Sequence, residues 1–151
     1  MWRFKRNLEK SLKKYILDNI LADWSNINVG LSFNYDEKEL PFIACRIDSA
    51  THSKLELGTT ILYTVNLAII DLYCTGEAQR LDLAEYLVDK LKEGFIYYEF
   101  SPNPEDLENP IMIANGRIYV KIVGDVKVDL GENSDKCDKH RHRITLELEK
   151  N

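Results

Sequence analysis

Apolar and polar residues alternate over an unusually long stretch that ends at Tyr73. Its odd-numbered positions form the more regular series, which is Thr59, Ile61, Tyr63, Val65, Leu67, Ile69, Asp71 and Tyr73. A period of two residues predicts a β-strand, because successive side chains of a strand point to opposite faces. The predicted strand has about fifteen residues, whereas roughly five or six are usual. A strand of this length must bend, twist strongly or extend beyond a small sheet, and such strands often serve assembly.

Two segments show the spacing of amphipathic helices instead. Residues 4–23 carry one apolar stripe, made of Phe4, Leu8, Leu12, Tyr15, Ile16 and Ile20. A second helix follows the long strand, and its apolar face carries Ala78, Leu81, Ala84, Leu87, Val88 and Leu91. Thr75 is the expected N-cap of this second helix, and Gly94 is placed to end it. The long strand and this helix form one predicted unit, residues 58–94.

The remaining pattern predicts further strands on both sides of that unit. Residues 29–35 and 41–47 alternate around a polar turn, which predicts a hairpin, and residues 48–57 form a predicted polar connection. Residues 95–100 form a short predicted strand. Residues 101–110 contain three prolines and therefore form a predicted loop.

The chain is predicted to end in a long hairpin, from about residue 117 to residue 149. Its first strand places on one face Ile118, Val120, Ile122, Gly124, Val126, Val128 and Leu130. The final strand, residues 140–149, alternates in the same way. The sequence therefore predicts one domain, residues 1–151, of the α+β class, with a mostly antiparallel sheet of long strands packed by two helices in the order α-β-β-β-α-β-β-β.

The charge of the chain is unevenly distributed. A chain of 151 residues, of which 44% are hydrophobic, can bury the core of one domain, and its net charge is −5. The first fourteen residues carry one acidic side chain, Glu9, and six basic ones, which are Arg3, Lys5, Arg6, Lys10, Lys13 and Lys14. The other residues therefore sum to −10, from 14 basic and 24 acidic side chains. This negative charge of residues 15–151 disfavours general nucleic-acid binding and would repel DNA that passes nearby.

The basic start of the first helix leaves three interpretations open. It is the solvated face of a packed helix, a membrane-surface segment, or a binding site for acidic partners such as nucleic acid. The charged N-terminus lacks the apolar run of a signal peptide, and no segment approaches the roughly 20 apolar residues of a membrane span. The three cysteines, Cys45, Cys74 and Cys137, are widely spaced, which favours a reducing compartment. We therefore expect a soluble protein of the cell interior.

The best candidate for metal binding is a cluster near the C-terminus. It contains Cys137, His140 and His142, with Asp135 or Asp138 as a further ligand. Zinc needs four protein ligands in a closed site, or three and a water molecule, and the cluster has no second cysteine pair. In the predicted strand, the two histidines lie on the same face as the apolar residues that follow them. This favours their interpretation as the solvent-accessible end of a buried or interface face over their interpretation as metal ligands. We expect no metal and no cofactor.

Other polar groups contain catalytic residue types without a catalytic arrangement. Asp48, Ser49, His52 and Ser53 have the residue types of a hydrolase triad, but no strand-to-helix nucleophile turn is present. Three carboxylates that could share acid and base roles lie in a predicted turn, and they are Asp36, Glu37 and Glu39. The glycines are too isolated for a phosphate loop or a dinucleotide fingerprint. We therefore expect no catalytic residues and no enzyme activity.

The last strand begins with a basic edge beside an acidic loop, residues 131–138. Two interpretations are open, which are charge pairing within the hairpin and a contact between subunits in which patches of opposite sign set the register. The residues predicted for such an interface are Lys139, His140, Arg141, His142, Arg143, Asp135 and Asp138.

Several stretches follow one another in a recognisable order. They are Pro41-Phe42-Ile43-Ala44-Cys45-Arg46-Ile47, Leu57-Gly58, Ile69-Ile70-Asp71-Leu72-Tyr73, Gly76-Glu77-Ala78-Gln79-Arg80-Leu81-Asp82-Leu83-Ala84 and Arg141-His142-Arg143-Ile144-Thr145-Leu146. In element order and length, residues 8–149 resemble the tail terminator (tail completion) proteins of long-tailed bacteriophages. The loops at 101–110 and 131–139 depart from a compact version of the pattern, and partner recognition is expected there.

The resemblance implies a structural virion protein of the phage tail and neck, assembled in the host cytoplasm. Its subunits would form a hexameric ring that caps the tail tube when polymerisation stops, with DNA passing through the lumen without specific binding. The implied partners are the tail tube protein and a head-connector or neck protein. The alternatives are a head-completion or connector-joining protein, a small metal-dependent hydrolase that uses the C-terminal histidines, and a nucleic-acid-binding module that uses the basic helix.

Overall fold

The computed structural model of the protein describes residues 3–30, 40–54, 62–129 and 139–150. These residues form two helices, α1 (Phe4–Asp23) and α2 (Glu77–Leu91). They also form six strands, which are β1 (Asn28–Gly30), β2 (Phe42–Lys54), β3 (Leu62–Tyr73), β4 (Phe95–Ser101), β5 (Ile111–Val128) and β6 (Arg141–Lys150). The α+β class is confirmed. Neither described helix combines the length and the apolar character that crossing a membrane requires.

The six strands form one sheet in the order β1-β2-β3-β6-β5-β4. All neighbours are antiparallel except β1 and β2, which are parallel and pair Val29 with Ile43. The predicted hairpin at this place is therefore wrong, since a hairpin pairs its strands antiparallel, and residues 31–39 lie outside the described part. The predicted C-terminal hairpin is confirmed, because β5 and β6 pair from Ile118 with Lys150 to Val128 with Arg141.

Both helices pack on one face of the sheet, which we call the helix face. The stripe of α1 and part of the predicted stripe of α2 share one apolar core with the inward-facing strand residues, among them Ile70, Leu72, Ile144, Leu146 and Leu148. The prediction is wrong for Ala78 and Leu81 of α2, which are exposed, while Leu83 is buried in the core. The other face, which we call the opposite face, has a smaller buried cluster of Phe42, Ala44 and Tyr73. Successive side chains of a strand point to opposite faces of the sheet. One therefore packs in the apolar core under the helices, and the next lies on the opposite face.

Two strands are longer than the sequence indicates. The predicted polar connection at residues 48–57 is wrong for its described part, because β2 continues to Lys54 and pairs there with Leu62. A β-bulge between Ile47 and Ser49 lets the strand bend and continue. Strand β5 begins at Ile111 rather than Ile118, since its first residues pair with β4 across the proline-containing loop. The predicted start of β3, residues 59–61, lies outside the described part.

The N-cap of the second helix lies one residue later than predicted. Gly76 occupies the N-cap position, so the assignment of Thr75 is wrong. Thr75 instead contacts Gln79, whose side-chain oxygen accepts hydrogen bonds from the Thr75 backbone N–H at 2.9 Å and from its hydroxyl at 3.0 Å. After the last turn, the N–H of Gly94 donates to the carbonyl of Leu91 at 3.0 Å. Gly94 has a φ of 73°, the left-handed conformation that ends many helices.

Candidate interaction surface

Residues 139–143, which the sequence predicts as an interface, divide between the two faces of the sheet. Arg141 and Arg143 lie on the opposite face and both bind Asp71, a fully buried carboxylate of β3. Arg143 donates to it from Nε at 2.9 Å and from Nη2 at 3.1 Å, and Arg141 donates from Nη2 at 2.5 Å. The Asp71 carboxylate raises the pKa of Arg143, chiefly through this hydrogen bond. The two arginines thus compensate one buried negative charge.

An aromatic stack extends this charged group. The guanidinium of Arg141 lies 5.0 Å from the ring centre of Tyr73, and that ring stacks on Phe42 with 4.3 Å between centroids. Because Arg141 is 7% exposed, it holds β6 against β3 and presents little surface to a partner. Lys139 is exposed, and Asp135 and Asp138 lie outside the described residues. The subunit interface at these residues stays a prediction.

His142 lies on the helix face and joins α2 to β5. Its Nδ1 is 2.5 Å from Nη1 of Arg80, and its Nε2 contacts Oδ1 of Asp125. A guanidinium has no acceptor, so Nδ1 accepts from Arg80 and the N–H is on Nε2, where it donates to Asp125. Both ring nitrogens of His142 are therefore occupied by protein partners.

Glu77 completes this cluster at the start of α2. Its carboxylate pairs with Arg80, and it lies 3.3 Å from Nζ of Lys127 and 3.4 Å from Nδ1 of His140. Cys137, the third member of the predicted metal cluster, lies outside the described part, and the residues that are described contain no group of three metal ligands. The cluster attaches the first turn of α2 to the sheet.

The pH dependence of stability should reveal the role of Glu77. Its hydrogen bond with Arg80, with smaller contributions from Lys127 and His140, lowers its pKa from 4.5 to about 2. A carboxyl with a lowered pKa stabilises the fold above its unfolded pKa and loses that contribution as the pH falls through the folded value. In urea titrations, Glu77→Gln should therefore be less stable than the parent at pH 6, and the gap should close between about pH 4.5 and 2. A gap independent of pH would contradict this assignment.

The residue types that suggest a hydrolase do not form a catalytic group. Asp48 pairs with Arg46 at 3.4 Å, and Nδ1 of His52 lies 2.9 Å from Oγ1 of Thr64, both on the long β2–β3 ribbon. The two described cysteines are also poor nucleophiles, because burial raises the pKa of Cys45 to about 12 and that of Cys74 to about 11. Asp36, Glu37 and Glu39 lie outside the described residues.

Two basic residues of α1, Lys10 and Lys14, contact aromatic rings of the sheet, whereas Lys5 and Arg6 are exposed. Lys10 lies over the ring of Phe100 at 5.5 Å, and Lys14 lies over the ring of Tyr98 at 5.9 Å. Lys14 also pairs with Asp18 at 2.8 Å, which raises its pKa. These contacts favour the interpretation of α1 as a packed helix with a partly solvated basic face.

Strand β5 exposes a row of large apolar side chains, which we call the β5 stripe. It consists of Ile111, Met112, Ile113, Tyr119, Val123 and Val126, each exposed by 44–57%. The sequence places Val126 on the same face of the strand as Ile118 and Ile122, and this assignment is wrong. A bulge between Ile122 and Gly124 shifts the register, so that Val126 pairs with Arg143 on the opposite face while Asp125 faces the helices. Exposed apolar rows of this kind mark protein contacts.

No model of a known protein family matches this chain. A search of curated proteins also finds no match.

Proposed function

We propose that the protein is a ring-forming tail terminator, a structural subunit that caps the tail tube of a long-tailed phage and joins the tail to the head. The β5 stripe carries this proposal. An 18-residue strand that exposes six large apolar side chains needs partners that cover them. The resemblance of the sequence supplies the type of assembly, in which copies of the chain, the tube protein and a neck protein are those partners.

The distribution of charge supports the same proposal. The chain has a net charge of −5, and the basic side chains of α1 are partly engaged by aromatic rings of β4. An acidic lumen would let DNA slide through a ring without binding to its wall.

Loss of the protein should change the length of the tails. In the phage that encodes the chain, a nonsense mutation in its gene should produce tails that vary in length and exceed the normal value. Electron microscopy of lysates measures this directly. Tails of normal length beside leaky, tailless heads would contradict the proposal and would favour a head-completion protein.

Introducing two lysines into the β5 stripe should weaken the association of subunits. We expect Tyr119→Lys with Val126→Lys to weaken subunit association at least about tenfold, because each side chain loses roughly 1.5–3 kcal/mol of apolar burial in the interface. Light scattering and negative-stain imaging across a concentration series measure this association. Leu81→Lys is the matched control, since Leu81 is 53% exposed on α2 and lies off the stripe. Equal loss of assembly in both variants would argue against the stripe as the contact.

A further inference from the structure

Helix α2 and strand β5 border an open groove on the helix face, which we call the α2 groove. Side chains of α2 line it from Leu81 to Lys92, and Asp125 and His142 line it from the sheet. Its volume is about 680 Å³, which is within the range of ordinary ligand sites. At a rise of about 1.5 Å per residue, the side formed by α2 is about 16 Å long. That length accommodates about three turns of another helix.

The α2 groove contains a narrow apolar strip. Leu81 is 53% exposed, although the other side of α2 packs in the core. Ala84 and Val88 line the groove about one and two turns further along the helix. Residues with this spacing lie on one side of a helix, so the three side chains follow one another along the groove. A groove with an apolar strip of this kind suits the apolar face of an amphipathic helix.

Carboxylates line the same groove. Its charged side chains are one lysine, Lys92, and four carboxylates, which are Asp82, Glu85, Asp89 and Asp125. Asp89 pairs with Lys92 at 3.5 Å, and Asp125 accepts a hydrogen bond from His142. Asp82 and Glu85 are exposed and, within the part of the chain that the structure describes, have no ion pair and no side-chain hydrogen bond. The groove thus offers two uncompensated negative charges beside apolar surface.

The segments outside the described part have the wrong charge to occupy the α2 groove. Residues 31–39, 55–61 and 130–138 each contain more acidic than basic side chains. Because like charges at close range repel each other, these segments do not complement the carboxylates of the groove. A cationic occupant must therefore come from another molecule.

Helix α1 of a second copy is also a poor occupant. Its basic residues Lys5 and Arg6 are exposed, but its apolar stripe is buried in the core of its own subunit. Leu8, Leu12 and Ile16 of that stripe are at most 1% exposed. The basic start of α1 would therefore bring positive charge to the groove without a free apolar stripe to pack on Leu81.

We propose that the α2 groove binds a short, cationic, amphipathic helix of another protein. A leucine-like side chain of that helix packs on Leu81, and its lysines or arginines pair with Asp82 and Glu85. The charges supply specificity, and the apolar strip supplies surface that is buried on binding. This inference rests neither on the proposed tail function nor on the β5 stripe.

A defined peptide tests the charge of the groove. The probe is a fluorescein-labelled helical peptide of about 12 residues, made of lysine and leucine with the leucines on one face. In fluorescence anisotropy at low salt it should bind the parent, and Asp82→Asn with Glu85→Gln should raise the dissociation constant at least about tenfold. Glu105→Gln with Glu108→Gln, which removes the same charge from exposed residues outside the groove, should bind like the parent. A parent that does not bind, or equal dissociation constants for the two double variants, would overturn the proposal.

Two further peptides separate docking in the groove from general charge attraction. With serine in place of leucine, the peptide should bind at least about tenfold more weakly, and with glutamate in place of lysine it should show no measurable binding. Leu81→Ser should weaken the binding of the leucine peptide, whereas Leu107→Ser, at a leucine that is 87% exposed outside the groove, should leave it unchanged. A serine peptide that binds as tightly as the leucine peptide would show that the apolar strip is not used and would contradict the proposal.

Light scattering on the same variants shows whether a second copy fills the groove. If Asp82→Asn with Glu85→Gln abolished self-association of the chain, the occupant would be a second copy and the proposal would be wrong. Unchanged self-association with weakened peptide binding is the expected result. The expected peptide binding in a protein whose loss leaves tail length unchanged would leave this docking site standing and count against the proposed tail function.

Discussion

Replacing Asp71 with Ala should lower the free energy of unfolding by about 3–5 kcal/mol, because it leaves two guanidinium groups without their common carboxylate. Asp71 is fully buried, and Arg141 is 7% exposed, so water cannot replace the lost partner at Arg141 without opening the sheet. The Arg141 guanidinium also stacks on Tyr73, whose ring stacks on Phe42, so the loss should extend to this aromatic cluster. Urea titration at pH 7, followed by circular dichroism, measures the change.

A second variant shows whether the loss at Asp71 comes from burial of the ion pair or simply from removal of a carboxylate. Asp48→Ala also removes a carboxylate that pairs with an arginine, Arg46, but both side chains of this pair are more than a third exposed. Exposed pairs contribute little, so this variant should stay within about 1 kcal/mol of the parent. Asp71→Asn keeps the side-chain shape and one acceptor, and it should lie between the two. If Asp71→Ala were no more destabilising than Asp48→Ala, the charged group would not hold β3 and β6 together.

Gly94→Ala should lower the free energy of unfolding by about 2–4 kcal/mol. Gly94 has a φ of 73°, which costs any residue with a Cβ atom about 1–2 kcal/mol. A Cβ atom at this position would also lie 2.5 Å from the backbone oxygen of Ile118, which belongs to a sheet strand and cannot rotate away. The turn between α2 and β4 would have to move. Thermal and urea unfolding both measure this loss.

Gly76 provides the control for this substitution. It lies at the other end of the same helix with a φ of −156°, an extended conformation that any residue adopts, and a Cβ atom added there would meet no atom within 4 Å. Gly76→Ala should therefore cost about 1 kcal/mol or less, since alanine is a poorer N-cap than glycine but adds neither strain nor crowding at this position. Similar losses in the two variants would show that conformation and crowding at Gly94 are not the cause.

Periodicity predicted the local elements well because it reflects local chemistry. The apolar stripe at residues 4–23 predicts α1, and the structure begins and ends that helix at Phe4 and Asp23. The alternation that ends at Tyr73 predicts β3 with its correct end. The apolar stripe of α1 is largely buried, and alternate residues of β3 are buried from Asn66 to Leu72, so the spacing of apolar residues reflects burial directly.

Periodicity did not predict the face of a residue after a β-bulge, nor the contacts between residues far apart in the chain. A bulge after Ile122 shifts the alternation of β5 by one residue, so Val126 lies on the face opposite to that of Ile118 and Ile122 and is exposed. Asp71 occupies one position of an alternating pattern, and nothing local indicates that it compensates arginines 70 and 72 residues away. The parallel pairing of β1 with β2 likewise depends on how the chain returns across the sheet.

The sequence by itself determined the α+β class, the two helices and the long strands, because these follow from the periods of neighbouring residues. Only the tertiary structure decided which charges are buried, which face of the sheet the helices cover, and which apolar side chains of β5 are exposed. Those properties depend on the register between strands far apart in the chain and on where each strand ends relative to its neighbours. A strand's own pattern carries neither quantity, since both arise only when the whole sheet is assembled.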